Sequence, residues 1–118
     1  MRTGLVLATL LAAVLVLPTS RAAAADCDGL DAKISAAKTA AEHEAIAGCY
    51  DDMAKGAEAK AAEHKKMAQA YGMGSIGNQA TKTHFHQHCE SLIRSYEAEA
   101  KEYASLASMH RDMAKKAK

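Results

Sequence analysis

From residue 40 onward, small or apolar side chains recur at steps of three and four residues, the period of helices packed lengthwise. One such seam passes through His43, Ala47, Tyr50, Ala54, Ala57, Ala61, His64, Ala68 and Tyr71. A second passes through Phe85, Cys89, Leu92, Tyr96, Ala100, Tyr103, Ala107, His110 and Ala114. Between them, the run from Gly72 to Asn78 holds three Gly and an Asn in seven residues, which reads as a loop. Thr39-Ala40-Ala41-Glu42 has the spacing of a capping box and marks a helix start near Thr39. The pattern predicts helices over about 29–38, 40–71 and 79–117, with Lys115, Lys116 and Lys118 near the negative end of the last helix dipole. The expected fold is all-α: an antiparallel helical hairpin of two long helices with a short N-terminal helix. Two such hairpins are expected to pair into a four-helix bundle, a homodimer.

The first 25 residues break this pattern. Met1-Arg2 gives a positive start, Gly4 to Leu17 is an uncharged apolar run, and Pro18-Thr19-Ser20 interrupts it. Ala22 to Ala25 then offers an A-x-A cleavage site before Asp26. These are the parts of a secretory signal peptide, and the apolar run is short for a membrane span. The expected organisation is a signal over 1–25 and one helical domain over 26–118, with no membrane span after cleavage. Such a chain reaches the periplasm or the exterior, where cysteines pair or bind metal.

Composition sharpens the picture. The 93 residues after the signal hold 21 Ala but only three Leu, four Ile and one Phe, with no Val and no Trp. A sandwich, barrel or Rossmann unit needs many more β-branched and aromatic side chains. The same segment carries 13 Lys+Arg against 14 Asp+Glu, mixed along both helices, which argues against a nucleic-acid partner. No phosphate loop, nucleophile elbow or H-E-x-x-H occurs, so no enzyme activity is expected.

The chemistry lies in six His, three Cys and the Met residues. A shift of 46 residues superposes Tyr50 on Tyr96, His64 on His110 and Met67 on Met113, as a duplicated helix would. Each copy carries His-x-x-Met, two donors on one helix face. Imidazole beside thioether suits copper, and His alone suits Cu(II), Zn²⁺ or Ni²⁺. In Thr83-His84-Phe85-His86-Gln87-His88-Cys89-Glu90, His84 and His88 lie one turn apart, a spacing that suits two ligands of one metal. If the hairpin turns near Ser75, facing residue numbers sum to about 150. His64, Met67, His84 and His88 then form one site, with Cys89 or Met73 as a further ligand. His43 meets His110 at the open end, with Met109 and Met113 within a turn. For the cysteines, folding the short first helix back brings Cys27 to Cys49 as a disulfide. Cys49 and Cys89 differ by about twelve residues, or roughly 18 Å, in level.

Ala61-Ala62-Glu63-His64-Lys65-Lys66-Met67-Ala68 and Ala107-Ser108-Met109-His110-Arg111-Asp112-Met113-Ala114 share the pattern A-x-x-H-[KR]-x-M-A. With the H-C-x-x-L stretch at His88–Leu92, they make the chain resemble a loose group of small exported Ala-rich helical bacterial proteins. That resemblance implies export and a helical fold. In length and donor content the chain is also similar to small periplasmic metal-binding bundles. The expected function is copper buffering or carriage, with zinc or nickel as alternative ions. A structural or interaction module whose His and Met are packing residues is the alternative. A b-type haem bundle is a third, weakened by an aromatic content of 4%.

Overall fold

The computed structural model describes residues 26–117. The proposed signal segment, 1–25, lies outside the described residues. Among those described, the chain forms three helices and no strand: α1 (Leu30–Ala36), α2 (Ala40–Met73) and α3 (Gln79–Lys116). The long helices thus match the expected spans closely, and α2 runs two residues further than the Gly-rich composition suggested. Local chemistry sets the ends. Thr39 accepts from the Glu42 amide, while Glu42 Oε2 accepts from the amides of Lys38 and Thr39, a complete capping box. These bonds hold the Glu42 carboxyl below its ordinary value. Asn78 caps α3 by accepting from the Thr81 amide at 3.0 Å. Gly77 occupies the left-handed region at φ 55°, which lets the loop reverse within five residues, 74–78.

Contacts across the hairpin join His43 to His110, Tyr50 to Tyr103 and Ala68 to His86, so facing numbers sum to 153 or 154. This register alternates two kinds of layer. One kind pairs Ala47 with Ala107, Ala54 with Ala100, Ala61 with Ile93 and Ala68 with His86. The other pairs His43 with His110, Tyr50 with Tyr103, Ala57 with Tyr96 and His64 with Cys89. Ala47 and Ala107 are both 0% exposed. Their methyl groups let the backbones come close. In the alternating layers the rings stack near parallel to one another, with Tyr50 and Tyr103 at 27° and His64 and Tyr96 at 18°.

Two seam assignments shift. Leu92 is 41% exposed, and Ile93 takes the layer opposite Ala61. The step from Cys89 is four rather than three, because three-four alternation must stay in phase with the Ala layers that follow. Phe85 is also largely exposed; it stacks on Tyr71 with centroids 4.8 Å apart, while His86 donates from Nδ1 to the Ala68 carbonyl. The 46-residue correspondence holds in the fold, since residues 47–68 of α2 and 93–114 of α3 take matching seam positions.

One face of the hairpin carries ion pairs. Arg111 forks onto Asp51 and approaches Glu44, and Lys65 meets Glu97 at 2.6 Å. The Arg111 hydrogen bonds hold the Asp51 carboxyl below its ordinary value. Helix α1 packs on the start of α2, fastened by a Cys27–Cys49 disulfide with Cα atoms 5.6 Å apart. Beneath it Ile46 and Cys49 are each 2% exposed. None of the described helices is long and apolar enough to cross a membrane.

The Ala layers make a direct prediction. Ala107→Leu overfills a seam with no free volume and should lower stability by about 1–3 kcal/mol, read from chemical denaturation. The disulfide makes another. It closes a loop of 22 residues, so Cys27→Ser with Cys49→Ser should destabilise by about 3 kcal/mol in the chain-entropy account. Far-ultraviolet dichroism should then lose only the signal of the short α1.

Candidate metal centre at the open end of the hairpin

Antiparallel packing sets the start of α2 beside the end of α3. There His43 Nδ1 and His110 Nδ1 lie 3.2 Å apart, a contact between residues 67 apart in sequence. His110 is 6% exposed, and Tyr50 stacks on its ring at 5.8 Å. Burial holds the His110 imidazole below its ordinary value, and the neighbouring His43 pushes the same way. A neutral ring is the form that ligates a metal. Met113 shares a face with His110, three residues on, and is 41% exposed; Met109 precedes His110 and is 50% exposed.

The separation matters. Two imidazole nitrogens bound to one tetrahedral ion, each at about 2.0 Å, stand about 3.3 Å apart. The His43–His110 pair already has that spacing as an imidazole–imidazole hydrogen bond, one ring donating and the other accepting. His84 and His88 form a second pair, with Nε2 atoms 3.2 Å apart on the outer, exposed side of α3. From His88 to His110 is about 33 Å along the helix, so the two pairs are separate.

The four-residue site expected from His64, Met67, His84 and His88 does not assemble. With facing numbers near 153 rather than 150, His64 is level with Cys89, and its ring, leaning toward the start of α2, stacks on Tyr96 with centroids 5.5 Å apart rather than meeting His86. Tyr96 stands two turns beyond His88, or about 12 Å. His84 and His88 also point away from the seam, whereas Cys89 points into it and is 6% exposed. Cys89 is the free cysteine, level with His64 and turned away from the His84–His88 pair. His64 Nδ1 is buried with no hydrogen-bond partner. Among the described residues, no three His, Cys, Asp or Glu side chains group as ligands of one metal ion would.

The duplicated His-x-x-Met motif therefore has two fates. Antiparallel pairing sets His110 opposite His43 but His64 opposite Cys89, so the sequence repeat is not repeated in the ligand geometry. The wall that Tyr50 builds on the imidazole pair, and the Asp51–Arg111 clamp beside it, were missed in the sequence. Tyr50 was visible there only as a seam residue. A facing number of 150 pairs Tyr50 with Ala100; only the observed 153 sets it against Tyr103 and beside His110. Compared with family models, curated proteins and solved structures, the chain matches none. The fold and the site define it as a small all-α hairpin with an imidazole pair at its open end.

His64→Phe keeps a ring against Tyr96 and removes the unpartnered nitrogen. The substitution should raise stability by about 1 kcal/mol in denaturant melts. It should leave any metal affinity of the His43–His110 end unchanged.

Proposed function

We propose that the protein is an exported metal-binding protein that holds copper between His43 and His110 and buffers or carries the ion without catalysing a reaction. The observation that carries this reading is the 3.2 Å separation of two imidazole nitrogens on different helices, one of them buried. Packing brings the pair together, so little side-chain freedom remains to be lost when an ion binds. Met113 and Met109 supply soft thioethers within a turn of His110, a donor set that favours Cu(I) over the harder divalent ions. The exposed His84–His88 pair serves as a secondary site with the one-turn spacing that suits Cu(II), Zn²⁺ or Ni²⁺.

Export is supported by two features. Residues 1–25 carry the three parts of a secretory signal. The Cys27–Cys49 disulfide belongs to an oxidising compartment, and it begins two residues after the proposed cleavage site. The periplasm meets both conditions.

The test is titration of the purified protein with Cu(I) and Cu(II) against a competing chelator. Binding tighter than about micromolar is expected, weakened at least tenfold by His43→Gln and by Met113→Leu but little by His84→Ala with His88→Ala. His43 is only half-buried, so its replacement leaves the hairpin folded, which dichroism verifies. At copper one hundred times above Kd, the melt should rise by the equivalent of about 2.7 kcal/mol and fall again on chelation. Affinity indifferent to His43→Gln would overturn the proposal and favour the structural module, in which the imidazoles only fill layers.

A further inference from the structure

The two faces flanking the seam differ sharply. On one, the residues just after the ring layers are Glu44, Asp51, Glu58, Lys65 and Gly72 on α2, and Thr83, Glu90, Glu97, Ala104 and Arg111 on α3. This is the face of the ion pairs. On the other, the residues just before the Ala layers are Ile46, Met53, Lys60 and Met67 on α2, and Phe85, Leu92, Glu99, Leu106 and Met113 on α3. Seven of those nine are large and apolar, whereas none of the ten on the ion-pair face is. In an antiparallel pair both sets line up across the seam, so each forms a continuous stripe on its own side. Helix α1 covers Ile46, but Met53, Phe85, Leu92 and Met113 are 38%, 37%, 41% and 41% exposed.

We infer that the face built by Met53, Met67, Phe85, Leu92 and Leu106 binds a second copy of this chain, giving a four-helix bundle. The charges on that face choose the occupant. Lys60 and Glu99 are its only two charged residues. Their numbers sum to 159, near the 160–162 of side chains that lean toward each other across the seam, as His64 and Tyr96, Lys65 and Glu97, and Asp51 and Arg111 do. Their charged ends therefore fall at a similar level near the middle of the stripe. Lys60 is drawn over the Tyr96 ring at 5.5 Å, and Glu99 accepts from the Tyr103 hydroxyl at 2.9 Å. Both charges are thus held at the surface of the stripe. A lipid surface would have to bury both charges with only one aromatic face and one hydroxyl in place of water.

A second copy pairs both charges. A two-fold axis parallel to the helices sets Lys60 against the partner's Glu99 and Glu99 against the partner's Lys60. It also lays α2 antiparallel on the partner's α3, so every neighbouring pair in the bundle is antiparallel. An axis across the helices would instead set like charges together, which is unfavourable. The stripe from the level of Leu106 to the loop is about 40 Å long and two helices wide. That approaches the ~800 Å² per partner of a standard interface. The pairing does not involve the metal ends, so it stands or falls independently of the copper reading.

Analytical ultracentrifugation of the apo protein, from about 1 to 300 μM, tests the inference. A dimer is expected, with Leu92→Glu plus Leu106→Glu leaving only monomer that retains its helical dichroism. Lys60→Glu should weaken association at least tenfold, and Lys60→Glu with Glu99→Lys should restore it. Glu58→Lys, on the ion-pair face, should leave association unchanged. A monomer throughout the range overturns the inference, and if that monomer binds phospholipid vesicles the face belongs to a membrane. A dimer insensitive to Leu106→Glu, or one that the charge exchange fails to rescue, also overturns it.

Discussion

The close approach of two backbones across paired alanines governs everything else in this hairpin. Ala47, Ala107, Ala54 and Ala100 are all buried, so the layers between them are held at the spacing that alanine sets. What occupies the intervening layers must fit that narrow spacing, as stacked rings do. Leucine in those layers would push the helices apart and break the Ala contacts. Tyrosine and histidine, being planar, stack there instead, with interplanar angles of 18–40° across the seam from His43 to Tyr96. The low content of large aliphatic residues is thus a consequence of the packing mode.

Filling layers with rings brings polar atoms into the interior, and their satisfaction decides local chemistry. Tyr103 turns its hydroxyl outward to Glu99, and His86 spends Nδ1 on a backbone carbonyl. His64 finds no partner for its inner nitrogen, whereas His110 finds His43. The two copies of one motif thus end in different surroundings because the hairpin is antiparallel. At the open end the burial that disfavours a charged His110 also prepares a neutral donor, while the Asp51–Arg111 pair fastens the same turn of α3 to α2. The disulfide and α1 sit at this end as well, so the most constrained part of the molecule is the part that carries the imidazole pair.

Much of this was legible in the residues. Thr39 and Glu42 announced the start of α2, the Gly-rich run announced the loop, and the Ala spacing drew both seams. The Cys27–Cys49 bridge followed from a short helix that needed tying down. The lost piece was register. An error of three or four in the facing number is one layer of the seam, enough to set His64 level with Cys89 rather than with the histidines after the loop. Leu92 misled for a related reason: hydrophobicity alone cannot choose between Leu92 and Ile93 when either step of three or four fits locally. Only the phase of the whole Ala ladder decides.

The sequence by itself determined that the chain is helical, that it folds back once at a Gly-rich loop, and that Ala lines the contact, because helix propensity, capping and periodicity act over a few residues. Tertiary structure decided which donors meet. Ligand geometry depends on distances of a few ångströms between helices, and those follow from how side-chain layers interlock along some 45 Å of seam. The same interlocking sorted the residues beside the seam into a charged face and an apolar one, a division that no single helix displays until its antiparallel partner supplies the other half.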